Sequence, residues 1–527
     1  MGQSGARNFA GIPEDILQHE LDLDTQLEQT RKQLSDQRAK IITEQNKELI
    51  KDLEEREKML LSDQTALQAQ IKTDYPDYYA LRYPKPAALA DLQQNVLQPG
   101  ELLVIYGVMK EKTCLWVVGK EAFGLYPLDI GEKALTEDVD TFRKALTEPI
   151  LQAIAEHRPE NELQRIADRS LPAILEKSAA LTALLLPAAA RPVIEQAQTV
   201  YIVPTGALYG LPFEVLMGKS TPALLRQAQD RLSQEGKNPP LPLPGGDSQA
   251  GTRAVRYLIE DHPMAYLSSA SLLKILREAQ SRRKDQATYP LLAFADPVYQ
   301  RPADPADASL KGLTTRAYLQ VMGGAVFPEL PDTAAEVKAI KTILHASDDS
   351  HPVYLREQAA RSKVFELHES GSLADYHYVV FACHGILPGE ITQITQPALV
   401  LSLPDPVTKQ DDYLTMADVF SLQFNADLIT LSACNTGRGA QVSGEGVVGL
   451  TRAFMYAGTP ALSMTLWSVE SGSAKTLSAG LYGHLHAGLS RAEALQTIKR
   501  RMLAGDEDPL YMHPFFWAPV VMFGDGR

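Results

Sequence analysis

Cysteine is scarce in this sequence. The 527 residues include three cysteines, Cys114, Cys383 and Cys434. A disulfide-stapled secreted domain needs many more, so the sequence argues against a disulfide framework. Such sparse use of cysteine is typical of proteins that work in a reducing compartment, and we predict a cytoplasmic location.

Long apolar segments are also missing. The longest apolar runs, such as residues 179–190, are too short to cross a bilayer. Residues 1–7 lack the apolar core of a secretory signal, and Ala6 stands where a myristoylation signal needs Ser or Thr. These features predict a chain that makes no membrane contact.

The sequence has no excess of positive charge. It contains 51 Lys and Arg against 65 Asp and Glu, for a formal net charge of −14. Phosphate contacts need clustered Lys and Arg, so we predict no direct contact with nucleic acid. A chain of 527 residues is too long for one core, which favours roughly two to four domains.

The sequence does contain two short apolar segments that each lead into a reactive side chain. Residues 378–382 and 427–431 are rich in β-branched and aromatic residues, and both are too short for helices, so each predicts a buried strand. The first leads to His384 and Gly385, and the second leads to Cys434. Ligands of open α/β sheets bind beyond the carboxyl ends of the strands. Two neighbouring strands would therefore bring His384 and Cys434 to one cleft.

A thiol beside an imidazole is the minimal set of groups needed for covalent acyl transfer. The ring of His384 can take the proton of Cys434 and leave a nucleophilic thiolate. His384 precedes Cys434 by 50 residues, which is about the His-to-Cys separation of caspases. We therefore predict that His384 and Cys434 form a catalytic dyad.

A longer series of motifs resembles one known family. Residues 381–385 (Phe-Ala-Cys-His-Gly) and 431–437 (Leu-Ser-Ala-Cys-Asn-Thr-Gly) are similar to the signature of CHAT domains. These are caspase-like clan CD cysteine peptidases, often fused to tetratricopeptide repeats. Supporting segments follow the family's order, at residues 202–208, 211–214, 444–447, 450–454, 466–469 and 514–519. The resemblance covers roughly residues 85–524 and implies a cysteine endopeptidase that acts on proteins.

The alternation of predicted strands and helices indicates the fold class. It predicts an α/β protein with a mostly parallel sheet and helices on both faces, and the resemblance implies a caspase-like arrangement. We divide the chain into a helical arm (1–84), the N-terminal half of the CHAT region (85–290) and a C-terminal caspase-like peptidase domain (291–527).

The helical arm has a seven-residue hydrophobic repeat. This spacing predicts two long helices or one continuous helix. They would form either an antiparallel hairpin packed on the body or an arm that docks an activating protein partner or a second copy. The repeated positions are Leu27, Leu34 and Ile41, then Leu53, Leu60 and Leu67.

A peptidase also needs an oxyanion hole, for which the sequence offers backbone groups. Gly385 and Cys434 are each expected to supply an N–H, because side chains do not obstruct the backbone there. No third member of a triad is assigned, since caspase-like enzymes can orient the imidazole through a backbone carbonyl. Residues 435–446, which include several glycines, are predicted to form an active-site loop that orders on binding.

The resemblance places the substrate pocket after the predicted strand 461–467. Trp467 would form a wall, with Ser468 beside it. Glu470 would pair with a basic P1 side chain, or would instead be an acid at a helix N-terminus. Glu445 is likewise either a loop ligand or a helix cap. Relatives commonly carry two acidic residues after the position of Val469, whereas Glu470 is followed here by Ser.

Other readings of these residues remain open. Cys383 is predicted to pack in the core, with a redox partnership to Cys434 as the alternative. A zinc site from Cys383, His384 and Cys434 lacks the usual ligand spacing, and we predict no cofactor. The rival to the peptidase is a silent caspase-like scaffold that binds proteins. A third reading is a peptidase held inactive until a partner orders its loop.

Overall fold

The chain is built around one eleven-stranded sheet. The computed structural model describes residues 13–38, 46–76, 78–79, 83, 86–218, 256–283, 287–299, 327–346, 352–387, 396–402, 413–432 and 445–527. The strands are β1 (Glu101–Val108), β2 (Thr113–Gly119), β3 (Phe123–Leu128), β4 (Thr199–Val203), β5 (Met264–Tyr266), β6 (Tyr289–Ala295), β7 (Val353–Leu355), β8 (Tyr376–Ala382), β9 (His384–Ile386), β10 (Ala398–Val400), β11 (Leu414–Thr415), β12 (Leu428–Leu431), β13 (Ala461–Thr465) and β14 (Val520–Gly524). The large sheet has the order β3-β2-β1-β4-β5-β14-β13-β12-β8-β6-β7, and a small sheet has the order β11-β10-β9.

Helices connect most of these strands. The longer ones are α1 (Glu14–Arg38), α2 (Lys47–Asp74), α3 (Glu132–Ala155), α4 (Glu160–Leu185), α5 (Ala270–Ser281), α6 (Asp332–Ile343), α7 (Arg361–Glu369), α8 (Met416–Ser421), α9 (Glu445–Tyr456), α10 (Ser471–His486) and α11 (Arg491–Ala504). Among the residues that the structure describes, no helix combines the length and the apolar character needed to cross a bilayer.

Most neighbouring strands of the large sheet are parallel. Strands β13, β12, β8, β6 and β7 run parallel to one another, as do β1, β4, β5 and β14. The two sets meet at the antiparallel pair β13–β14, and β2 and β3 add an antiparallel edge. Parallel strands are buried on both faces and read as continuous apolar runs. The predicted mostly parallel α/β sheet is therefore confirmed.

Helices cover both faces of the sheet. On one face, Val380 of β8 packs in a cluster with Val337 of α6 and Tyr482 of α10. The next residue, Phe381, points to the other face, where its ring lies 5.8 Å from the ring of Phe454 in α9. This alternation is the two-residue period of a strand, and it gives each face its own helical layer.

The regions 85–290 and 291–527, predicted as two domains, contribute strands to the same sheet. Strand β14, at the end of the chain, lies between β13 and β5. It pairs Val520–Gly524 with β13 on one side and pairs Phe523 with Tyr266 of β5 on the other. The core is therefore continuous across residue 290.

The helical arm is an antiparallel hairpin. Asp24 of α1 accepts a hydrogen bond from Gln64 of α2 at 2.6 Å, and Arg31 pairs with Glu57 at 2.7 Å. The hairpin packs on the body through Tyr78, just after α2. Its ring meets Phe420 of α8 and Tyr456 of α9 edge-on, at centroid distances of 5.6 and 5.3 Å. Of the two predicted arrangements, the structure shows the packed hairpin; docking of a partner stays a prediction.

Candidate active site

The predicted site lies where β8 and β12 end side by side. The two strands are parallel, with Phe381 opposite Leu431. The Ser432 N–H continues the ladder by donating to the Phe381 carbonyl at 3.0 Å. His384 stands three residues beyond Phe381, and Cys434 stands three residues beyond Leu431. Cys434 itself lies outside the described residues, as do residues 435–444 of the predicted loop 435–446. The last two residues of that predicted loop, Glu445 and Gly446, belong to α9 instead.

The imidazole of His384 is held by a backbone carbonyl. Its Nε2 lies 2.8 Å from the carbonyl oxygen of Pro328. A carbonyl can only accept, so Nε2 carries the proton and Nδ1 of the neutral ring keeps a lone pair. The ring therefore has the tautomer of a general base, with Nδ1 as the basic atom.

Aromatic side chains enclose His384 and keep it neutral. The rings of Tyr299 and Phe327 lie 5.1 and 5.4 Å from the imidazole centroid, and 6% of the residue is exposed. Burial lowers the pKa of His384, while the bond to Pro328 opposes this shift. Because its ordinary pKa is near 6.5, His384 is in its basic form at neutral pH.

Gly385 and Cys383 flank His384 in different settings. Gly385 lies in β9, opposite Leu399 of β10. Cys383 is fully buried and packs in the main core with Val379 and Phe381. This is the predicted packing role of Cys383. Cys114, in β2, is partly buried.

Trp467, predicted as a pocket wall, is a core residue in this structure. The indole has no exposed surface, and its N–H donates to the Phe515 carbonyl at 3.2 Å. Trp467 therefore offers no surface to a ligand here, because the neighbouring segment 514–517 covers it. Ser468, the next residue, is half-buried.

The two candidate acids both lie at helix N-termini. Glu470 caps α10, and its carboxylate accepts hydrogen bonds from the N–H groups of Gly472 and Ser473, each at 2.7 Å. This is the helix-cap alternative stated for Glu470, and its oxygens are thereby engaged. Glu445 is the first residue of α9.

A small cleft opens at the carboxyl ends of β12 and β13. Its empty volume is about 320 Å³, part of which is open to solvent. Ser432 and Ser478 line it, and apolar side chains from three elements form much of the remaining wall, including Met464, Leu477, Leu481 and Val520. Ser432, which lines the cleft, precedes the predicted nucleophile Cys434 by two residues in the sequence.

Two features of this site were not predicted from the sequence. The carbonyl of Pro328 orients His384, but every residue has a carbonyl, so no residue type marks this role. Glu336 is a buried carboxylate behind the cleft. It stands four residues before Ile340 on the buried face of α6, and an acid in that apolar stripe was a signal that could have been noticed.

Within the described ranges, no group of three or more His, Cys, Asp and Glu side chains could hold a metal ion. The weakly supported zinc site includes Cys434 and so falls partly outside those ranges. Among the described residues of the predicted site, His384 has a basic ring nitrogen, Nδ1, because its Nε2 donates to the Pro328 carbonyl.

A second buried histidine, His513, lies beside a serine hydroxyl, but its tautomer prevents it from acting as a base toward that hydroxyl. Nδ1 of His513 accepts from the Phe515 N–H at 3.2 Å, so Nε2 carries the proton. Nε2 lies 3.1 Å from the Ser170 hydroxyl, which itself donates to the Ala167 carbonyl at 3.0 Å. A protonated nitrogen cannot take the serine proton. His513 therefore joins α4 to the C-terminal segment and has a structural role.

His513 should make stability depend on pH. Burial lowers its pKa to about 3, whereas in the unfolded chain it is about 6.5. Below pH 6.5 the unfolded chain binds a proton that the folded chain does not, so stability is lost as pH falls from 6.5 towards 3. From pH 7.5 to 5.0, this one group should cost about 2 kcal/mol.

The check is urea unfolding of wild type and His513→Asn across that pH range. Asn retains an acceptor for the Phe515 N–H but does not titrate. The difference in unfolding free energy between the two proteins should shrink by about 2 kcal/mol as pH falls. A difference that stays constant with pH would contradict the assignment.

With this geometry in hand, comparison with known proteins identifies the family. A family model described as "CHAT domain" matches residues 175–525. The chain belongs to the CHAT domain family. The resemblance stated from the motifs is thus confirmed over about two thirds of the sequence.

Other relatives of this CHAT protein match more narrowly. Tetratricopeptide repeat protein 28 of Homo sapiens is 31% identical over 123 residues, and that of Mus musculus is 30% identical over 125 residues. These matches cover 23% and 24% of this chain but only 5% of each relative. The chain therefore spans a small part of the curated relatives that it matches.

Two solved structures of the Saccharomyces cerevisiae separase–securin complex are also similar. The one at 2.6 Å resolution has a TM-score of 0.46 and 9% identity, and the one at 3.0 Å has 0.44 and 10%. Both comparisons cover 95% of this chain and 37% of the other.

Proposed function

We propose that this CHAT protein is a cysteine endopeptidase that cleaves proteins with His384 and Cys434. The observation that carries the proposal is the register of β8 and β12, which pairs Phe381 with Leu431. His384 and Cys434 are equally far beyond that pair. Chain connectivity keeps the Cα of Cys434 within about 7 Å of the Cα of Ser432. On this basis we propose that the thiol acts at the same end of the sheet as the imidazole.

The proposed reaction has two steps. Nδ1 of His384 takes the proton of Cys434, and the thiolate attacks the scissile carbonyl, with backbone N–H groups of Gly385 and Cys434 proposed to stabilise the oxyanion. The C–N bond breaks as the imidazolium gives its proton to the leaving amine. Water, deprotonated by the same ring, then hydrolyses the thioester and restores the Cys434 thiol.

Regulation by a protein partner fits the position of the helical hairpin. Tyr78, which follows α2, packs on Tyr456 of α9, and α9 begins at Glu445, directly after residues 433–444. A partner that shifted the hairpin would act on the helix that follows the Cys434 segment. A reducing cytoplasm would keep Cys434 as a free thiol, and we place the activity there.

Alkylation kinetics test whether Cys434 is an activated thiolate. Iodoacetamide near neutral pH should label Cys434 at least about 10-fold faster than an ordinary thiol, because only the thiolate reacts. Labelled sites are identified by mass spectrometry of the digested protein. Cys114 is the described thiol that is partly exposed, so its rate in the same sample provides the internal comparison.

The same labelled protein then separates the enzyme from the scaffold. Wild type is incubated with a peptide library, and the masses of the products give the cleaved bonds. Cleavage that is abolished by alkylation at Cys434 supports the peptidase. If Cys434 reacts no faster than Cys114, and the library stays intact both alone and with candidate partners, the protein-binding scaffold is the better description.

A further inference from the structure

Two exposed histidines meet at the C-terminal ends of α6 and α10. His345 stands two residues beyond Ile343, where α6 ends, and His486 is the last residue of α10. Both residues are exposed. The centroids of their imidazole rings lie 5.3 Å apart, with an angle of 65° between the ring planes. Because the two rings belong to different helices, the packing of α6 against α10 creates the pair.

The two helices run in the same direction, so their C-terminal ends lie together. Glu336, early in α6, accepts from the Ser478 hydroxyl of α10. Further along, Cγ2 of Ile343 lies 3.9 Å from the position that a Cβ on Gly483 would take, and the two histidines continue this order. The C-terminus of a helix carries about half a negative charge. Two such ends side by side favour a cation between them.

Neither imidazole is engaged by another group. Within the part of the chain that the structure describes, neither ring takes part in a hydrogen bond or pairs with a carboxylate. By contrast, the ring of His384 is held by the Pro328 carbonyl, and the ring of His513 accepts from a backbone N–H. The ring nitrogens of His345 and His486 are therefore available to an added ligand.

The spacing of the rings is that of two imidazoles on one metal ion. Zinc binds imidazole nitrogen at about 2.0–2.1 Å with tetrahedral angles, which holds the centroids of two such rings roughly 5 Å apart. The observed separation of 5.3 Å matches this geometry. Imidazole suits zinc, copper and nickel, whereas magnesium and calcium prefer oxygen ligands. The pair therefore selects a transition-metal ion.

We propose that His345 and His486 form a binding site for a divalent transition-metal ion, such as zinc, that clamps α6 to α10. Water completes the coordination of an ion held by two protein ligands, so its binding is reversible and is not required for folding.

The site is separate from the predicted active site. Glu336 contacts Ser432 at the carboxyl end of β12. His345 stands nine residues after Glu336, which is roughly 13 Å along a helix axis. The metal site therefore does not depend on the proposed peptidase function, and its test does not use peptide cleavage.

Modification by diethyl pyrocarbonate tests the site one histidine at a time. The reagent acylates exposed neutral imidazoles, and mass spectrometry of the digested protein gives the rate at each position. Zinc should slow the modification of His345 and His486 at least about 10-fold at saturation, with one common midpoint, because one ion occupies both rings. His157 is the matched control. It is also exposed and follows a helix in the left-handed conformation, with φ of 53° against 52° for His345, and its rate should not change.

Reciprocal variants distinguish one shared ion from two independent ones. His345→Asn keeps a residue type that tolerates the left-handed conformation, and it should abolish the protection of His486 by zinc. His486→Gln should likewise abolish the protection of His345, whereas His157→Gln should leave both protections unchanged. Protection of one histidine that persists after the other is replaced would overturn the proposal. Modification rates that millimolar zinc leaves unchanged would also overturn it.

Two further measurements test the class of ion and the clamp. Magnesium at the same concentration should protect neither ring, and EDTA should restore the original rates. Zinc should raise the thermal unfolding midpoint of wild type more than that of His486→Gln, because an ion that binds the folded chain stabilises it. Equal protection by magnesium would contradict the transition-metal site. Equal midpoint shifts in the two proteins would contradict the clamp.

Discussion

Replacing Cys434 by alanine is expected to lower kcat/KM for peptide cleavage by about 10⁴-fold or more. The reaction proposed here passes through a covalent bond to Sγ, and alanine leaves only binding and oxyanion stabilisation. The measurement is the initial rate on the best library peptide. Circular dichroism and the urea midpoint should match those of wild type, because the substitution removes a single side-chain atom.

The other cysteines provide matched controls for this prediction. Cys383→Ala should retain activity within a few-fold and lose about 1 kcal/mol of stability, because it leaves a small cavity in the core. Cys114→Ser, in β2, should change neither activity nor stability appreciably. Undiminished cleavage by Cys434→Ala would show that another group carries the reaction. A Cys383→Ala variant as inactive as Cys434→Ala would instead favour the redox pairing of those two thiols.

Replacing Lys499 by methionine is expected to destabilise the fold by about 3–5 kcal/mol. Lys499 of α11 has no exposed surface, and its Nζ lies 3.2 Å from Glu214, which is 1% exposed. The second Glu214 oxygen accepts from the hydroxyl of Tyr266 in β5. Burial lowers the pKa of Lys499, and the Glu214 carboxylate opposes that shift. Methionine fills a similar volume but leaves Glu214 buried without its cation.

The pair also joins the region 85–290 to the region 291–527, so its loss should be visible in global unfolding. The measurement is the guanidinium unfolding midpoint, with Lys475→Met on the exposed side of α10 as the control. The double variant Lys499→Met/Glu214→Gln removes both charges and should recover much of the lost stability. A single variant that loses less than about 1 kcal/mol would show that the pair is not buried in solution.

Much of the sheet could be predicted because its strands are short, apolar and buried on both sides. Residues 378–382 and 427–431 were recognised by composition and length alone, and they occur as β8 and β12. Ser269, a residue type typical of helix N-caps, accepts from the Leu272 N–H at the start of α5. Such signals are local, so a linear pattern is enough to find them.

Strand β5 and the small β9–β10–β11 sheet were not predicted. Each of these strands has two or three residues, too few for a period to be recognised. Their pairing depends on neighbours that are distant in sequence. His384 itself belongs to β9, so the strand pairing around the predicted base could not be recognised from the sequence pattern.

The predicted pocket residues also show the limit of a local sequence pattern. Trp467 and Glu470 were chosen because of their position after β13, yet Trp467 is covered by residues 514–517 and Glu470 caps α10. Glu336 was not singled out from the sequence, although its carboxylate accepts from two serines that line the cleft. Whether a side chain reaches a ligand depends on what else covers it, and a local pattern does not contain that.

The sequence by itself determined the family, the fold class and the two residues proposed for the chemistry, because strand periodicity and motif order are properties of the chain. Only the tertiary structure showed which carbonyl holds His384 and which carboxylate lies behind the cleft. Those contacts join residues 56 and 96 positions apart. Packing of the helical layers on the sheet creates such contacts, and no linear pattern records them.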